Sequence, residues 1–177
     1  MELFRPPVPA HPGARTSPAT YYIPATHIAT SGTAAIVANV LYFVPFLIPG
    51  AAFDRIGVEV TTGSAGAARL GLYTNASGGP LSLILDCGTV DVTSTAVVEA
   101  SFTAVSLPND WVWAAIVSNA TPTLRNGGQG AQSIIGCAAP GTAARGLSQS
   151  FTYGALPASV AATSITNAAP IITLRKS

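Results

Sequence analysis

Seventeen glycines and 14 prolines cut the 177 residues into short apolar runs, and no run carries the three-to-four-residue apolar spacing of an amphipathic helix. Breakers at this density end a helix before it can bury a face, whereas a strand needs only about four to eight residues between turns. An all-β chain follows. Strands are expected at Ala19–Ile23, Ile36–Phe46, Phe53–Thr61, Ala68–Tyr73, Leu81–Asp86, Val97–Leu107, Trp111–Ser118, Thr123–Arg125, Ser133–Cys137 and Pro170–Arg175. Between them stand turn sequences such as Thr62-Gly63-Ser64-Ala65-Gly66, Asn75-Ala76-Ser77-Gly78-Gly79-Pro80, Leu107-Pro108-Asn109-Asp110 and Asn126-Gly127-Gly128-Gln129-Gly130.

Alternation is clearest in Ile56-Gly57-Val58-Glu59-Val60, which puts Ile56, Val58 and Val60 on one face of a half-buried strand. Trp111-Val112-Trp113-Ala114-Ala115-Ile116-Val117 is apolar without interruption instead, which predicts a strand buried on both faces or covered by a neighbouring subunit. The 20 uncharged residues from Ala34 to Phe53 have the length of a membrane span, but Pro45, Pro49, Gly50 and Asn39 interrupt them and Val, Tyr, Phe and Ile favour strands. Two buried strands, or one strand with an extended exit, are expected there, with no membrane insertion. Residues 138–168 are rich in Ala, Gly, Ser and Thr, and read as a long loop or a subunit-contact region. The expected architecture is a jelly-roll-like antiparallel β-sandwich over residues 20–177.

Residues 1–19 stand apart. Pro6, Pro7, Pro9, Pro12 and Pro18 fix the backbone torsions and remove donors, so the segment is expected to form an extended, Pro-rich docking arm that a partner surface orders. Phe4, Arg5, Pro6, Pro7 and Val8 are its candidate contacts, Phe4 by apolar burial and Arg5 by hydrogen bonds to a partner's carbonyls or carboxylates. A disordered tail is the alternative.

Charged residues make up 8% of the chain and the formal net charge is +1. One lysine, Lys176, and scattered arginines cannot form the basic stripe that displaces counterions from nucleic acid, so nucleic acid is not an expected partner. An apolar share of 49% with few charges makes a poor surface for a free monomer, and a homo-oligomer is expected.

Catalytic constellations are sparse. His11 and His27 have no metal-ligand spacing, Cys87 and Cys137 fit neither a zinc site nor a redox pair, and the glycine-rich stretches lack the lysine of a phosphate-binding loop. Asp54/Glu59 and Asp86/Asp91 are each five apart, which in a regular strand places the two carboxylates on opposite faces. No enzyme activity, cofactor or metal is expected. Tyr73, Trp111 and Trp113 could form a glycan-facing aromatic platform, but Trp111 and Trp113 share a strand face inside an apolar run, which favours core tryptophans over a platform.

Phe53-Asp54-Arg55-Ile56-Gly57-Val58-Glu59-Val60, then Arg69-Leu70-Gly71-Leu72-Tyr73-Thr74-Asn75, Gly78-Gly79-Pro80, Leu85-Asp86-Cys87-Gly88-Thr89-Val90-Asp91-Val92 and Trp111-Val112-Trp113-Ala114 form an ordered series. In this series the stretch Ala52 to Ser118 resembles a β-sandwich module of virion proteins from tailed bacteriophages and gene transfer agents. Asn109-Asp110-Trp111 stands where that module usually has a glycine-led aromatic pair. The resemblance implies a head-fibre, head-spike or tail-appendage protein located in the virion, homotrimeric, bound to other capsid or tail proteins and concerned with attachment to a host surface glycan. It implies no catalytic residue. A capsid decoration (cement) protein and a free carbohydrate-binding module are the alternative expectations.

Overall fold

The computed structural model describes residues 18–24, 31–127, 135, 144–162 and 164–177. Its strands are β1 Tyr21–Tyr22, β2 Ser31–Ala35, β3 Val40–Leu47, β4 Ala52–Thr62, β5 Ala67–Ala76, β6 Gly79–Asp91, β7 Ala96–Ser106, β8 Trp111–Ser118, β9 Thr123–Gly127, β10 Gly146–Ser150, β11 Ser164–Thr166 and β12 Ile172–Lys176. Among the described residues there is no helix. Every strand pair is antiparallel.

The pairings nest. β5 pairs with β6, β4 with β7, β3 with β8 and β2 with β9, so residues 31–127 form one long double ribbon. The ribbon rolls up because β8 also pairs with β5, and β9 with the end of β4 at Val60 and Thr62. The resulting sheets, β2-β9-β4-β7 and β3-β8-β5-β6, have the strand order of an eight-stranded jelly roll. The later strands fill edges: β12 pairs with β4 from Phe53 to Val58, where β9 has left it, and β10 and β11 extend the other sheet beyond β3.

The core between the sheets alternates as the sequence predicts. Phe53, Ile56, Val58 and Val60 of β4 meet Val44 and Phe46 of β3, Leu70 and Leu72 of β5, and Val112, Ala114 and Ile116 of β8. The Trp111–Val117 run is explained by a second core on the outer face of the β3-β8-β5-β6 sheet. Trp113, Ala115 and Val117 of β8 pack there with Phe43, Tyr73, Leu147, Leu156 and Val160, and β8 is buried on both faces. Its cover is the chain's own segment 151–162, which crosses the sheet as a strap. The Phe151 N–H donates to the Asn39 carbonyl, Leu83 N–H to Ala158, and Val160 N–H to Leu81. The Tyr73 hydroxyl donates to the Pro157 carbonyl at 2.9 Å.

Several expectations change. Residues 138–168 are not one loop, since β10, β11 and the bridge between Ser159 and Ser82 lie within them. The strand expected at Ile36–Phe46 starts at Val40. Residues 36–39 carry the chain from one sheet to the other, and Asn39 turns it with a φ of 61°. Pro45 is tolerated in β3 because it lies beyond Phe43, the last residue there to pair with β10. The arm residues Phe4, Arg5, Pro6, Pro7 and Val8, both histidines, Cys137 and most of the strand expected at Ser133–Cys137 lie outside the described residues.

The strap sits close on β5: a Cβ at Gly71 would fall 2.2 Å from Leu156 Cδ1 and 2.9 Å from the Leu85 carbonyl oxygen. Gly71→Ala should therefore cost about 1–3 kcal/mol, as overpacking does. Denaturant melts check this, and an unchanged midpoint would show that the strap does not lie on β5 in solution.

Candidate functional site

The charged side chains divide into two sets by position. On the outer face of the β12-β4-β7 sheet, Arg175 bonds Asp54, Arg55 bonds Glu99 and Arg125 bonds Glu59. Asp54 and Glu59 share this face, contrary to the regular-strand expectation, because a bulge between Phe53 and Arg55 adds a step to β4. Hydrogen bonds from Arg175 to Asp54 and from Arg125 to Glu59 hold both carboxyls below the usual carboxylate range. Each acid faces its own arginine, so neither is placed as a proton donor to a substrate.

The fourth pair lies under the strap. Arg69 Nε donates to Asp86 Oδ1 at 2.9 Å and to Oδ2 at 2.8 Å, and the Leu156 and Gly88 N–H groups donate to the same carboxylate at 3.2 Å each. Burial opposes the Asp86 charge, but these donors outweigh it and hold the carboxyl below its ordinary range. Asp86 is thus a clasp that ties the strap to β5 and β6. Burial, with the Asp86 charge adding to it, raises the nearby Tyr73 hydroxyl. Cys87 is a free thiol in the core between the sheets, and burial pushes it up to about 12, so it is inert as a nucleophile. Among the described residues no group of three His, Cys, Asp or Glu side chains could hold a metal ion.

Of the aromatic platform, Tyr73 and Trp113 are closed. Both are buried in the second core, the first bonded through its hydroxyl to Pro157 and the second through Nε1 to Asn75 Oδ1 at 2.9 Å. Only Trp111 remains half-exposed. It stands at the end of the sandwich formed by residues 48–51, 77–78 and 107–110, and lines two concavities. One, of about 390 Å³, includes Pro45 and Trp113; the other, of about 370 Å³, includes Pro108, Asp110 and Thr74, and Asn75 lines both. Asn75, Pro108 and Asp110 are exposed. Asp110 accepts the Trp111 N–H at 2.7 Å and is in none of the four ion pairs.

Both ends of the described chain come to this same end of the sandwich. Ser177 N–H donates to the Ala52 carbonyl, and Ala19 N–H to the Lys176 carbonyl, so Ala19 and Ser177 lie at the end of the sandwich that carries Trp111, on the β1-β12 side of it. Asp110 is Trp111's neighbour in the chain, but sequence reasoning missed that Asn75 joins them, since β5 and the β7–β8 loop meet only through the rolled ribbon. The chain matches no protein-family model, no curated protein and no solved structure.

The clasp has a pH signature. A carboxyl held below its unfolded value, about 4, contributes stability that is fully present above that value and is lost as pH falls through the folded one. Thermal melts should therefore fall in acid, with part of the drop due to Asp54 and Glu59, and Asp86→Asn should lower the neutral-pH melting temperature while flattening the acid drop. An acid profile unchanged by Asp86→Asn would remove Asp86 from the clasp.

Proposed function

We propose that the chain is a non-enzymatic structural component of a phage virion, the base of a fibre or spike that docks through its N-terminal arm and takes part in host-surface attachment. The observation that carries this reading is the rolled ribbon itself. The segments that resemble the virion module, Phe53–Val60, Arg69–Asn75, Leu85–Val92 and Trp111–Ala114, fall on β4, β5, β6 and β8 within a jelly roll, an architecture used by viral capsid and lectin domains. Fold alone does not assign function, and the pairing of Asp54, Glu59, Asp86 and Glu99 with arginines adds to the non-enzymatic reading. A free carbohydrate-binding module is less favoured, because two of the three expected platform rings are buried.

Deleting residues 1–18 should leave the melting temperature of the remaining body nearly unchanged, while particles assemble without the protein. Unfolding of the truncated chain, or normal occupancy in particles, would contradict the docking role. Imaging of intact particles locates the subunit: density at a vertex or tail fits the fibre or spike base, and density over every capsomer would replace that reading with a capsid cement. Host polysaccharide incubated with the pure protein should stay intact, and cleavage abolished by Asp54→Asn or Asp86→Asn would overturn the non-enzymatic assignment.

A further inference from the structure

The half-exposed Trp111, with a concavity on either side, has the form of a proline-reading groove. Extended proline-rich segments have three residues per turn, and aromatic-lined grooves bind them at little entropic cost because the segment is stiff before it docks. In this chain Pro6, Pro9 and Pro12 recur every three residues and so fall on one face of such a helix, with neighbours on that face about 9 Å apart. Two of them can straddle an indole. Arg5 precedes the series, and Asp110, without an ion pair among the described residues, lies at the groove. Asn75 spends its carbonyl oxygen on Trp113 and keeps its amide N–H groups for a ligand carbonyl, which is the acceptor a proline-rich backbone offers.

We propose that the groove at Trp111 receives the segment Arg5–Pro12 from a neighbouring copy of this chain, with Arg5 bonding Asp110 and two of the three in-register prolines seated on either side of the indole. The placement of the arm's root favours exchange over self-docking. Residue 18 leaves beside β1, at one limit of the path β1-β12-β4-β7, while Ser106 and Pro108 of the groove follow from β7 at the other. Three strand spacings amount to about 14 Å, and crossing to the sheet that holds Trp111 adds about 10 Å at right angles. Together these make a straight-line separation of about 17 Å, and the six steps from Pro12 to Pro18 span about 20–22 Å at full extension, so a self-docked arm has only a few ångströms of slack to round the loop at 107–110. A neighbour set beside β1 presents its groove without that detour. Head-to-tail exchange of this kind generates a ring where the rotation between copies closes, which is the geometry of a cyclic oligomer.

The inference rests on the virion reading above and names the partner of the arm. Its test uses the purified full-length chain without particles, so its failure and a failure of particle incorporation are separate results. Sedimentation of the full chain should show a concentration-dependent homo-oligomer. Arg5→Asp and Trp111→Ala should each weaken association by about ten-fold or more, as loss of a buried anchor does. Arg5→Asp combined with Asp110→Arg should restore it, a rescue that holds even if Trp111→Ala perturbs the fold. A synthetic peptide of residues 1–14 should dissociate the oligomer. A monomer at every concentration, an oligomer indifferent to these substitutions, or failure of the charge-reversed pair to recover would overturn the proposal, as would arm protection that does not depend on concentration, the mark of self-docking.

Discussion

A sheet with two apolar faces needs two covers, and most of this molecule follows from that requirement at β8. Val112, Ala114 and Ile116 face the opposing sheet, while Trp113, Ala115 and Val117 face away from it. An uncovered outer face would expose Trp113, Tyr73 and Phe43 together; truncating one buried Trp or Phe typically costs about 3–5 kcal/mol, which sets the scale of what the cover protects. The strap at 151–162 supplies the cover, and its attachments are spread over the sheet: Asn39 at the start of β3, Tyr73 on β5, Asp86 and Leu81–Leu83 on β6. The two outer faces are therefore unlike. One is sealed by chain, and the other carries ion pairs in partial contact with water, where each pair contributes little on its own. Charged side chains are few, 8% of the chain, and among the described residues eight of them are engaged in these four pairs.

What the sequence shows of this arrangement depends on how local the cause is. β8 keeps its expected bounds, Trp111 and Ser118, one residue past the apolar run, and β4 differs from its expected bounds by one residue at each end, because period-two patterning and turn residues act within a few positions. β10 and β11 leave no such trace. Gly146-Leu147-Ser148-Gln149-Ser150 has a single large apolar residue, and its small residues answer to a distant neighbour: a Cβ at Gly146 would lie 2.1 Å from the Phe43 carbonyl oxygen.

The site was legible in the same uneven way. Equal spacing put Trp111 and Trp113 on one face, yet it could not tell which the strap would bury, since Leu156 and Val160 sit among residues that read as loop. The bulge that turns Asp54 to the face of Glu59 is a property of two-strand register, and so is the meeting of Arg69 with Asp86. Asn75 and Asp110 come together beside Trp111 only once the ribbon has rolled. Chemistry that depends on one strand can be read in advance, and chemistry assembled by the roll cannot.

Residue-resolved amide hydrogen exchange on the intact chain tests the central claim most directly. If the strap is a wall of the second core, the Leu83, Leu156 and Val160 amides, which bond Ala158, Asp86 and Leu81, will exchange as slowly as those of β8, through global unfolding. Exchange of these three at the rate of an open loop, with β8 still protected, would mean that the strap is not the cover and that the outer face of the sheet is closed by something else.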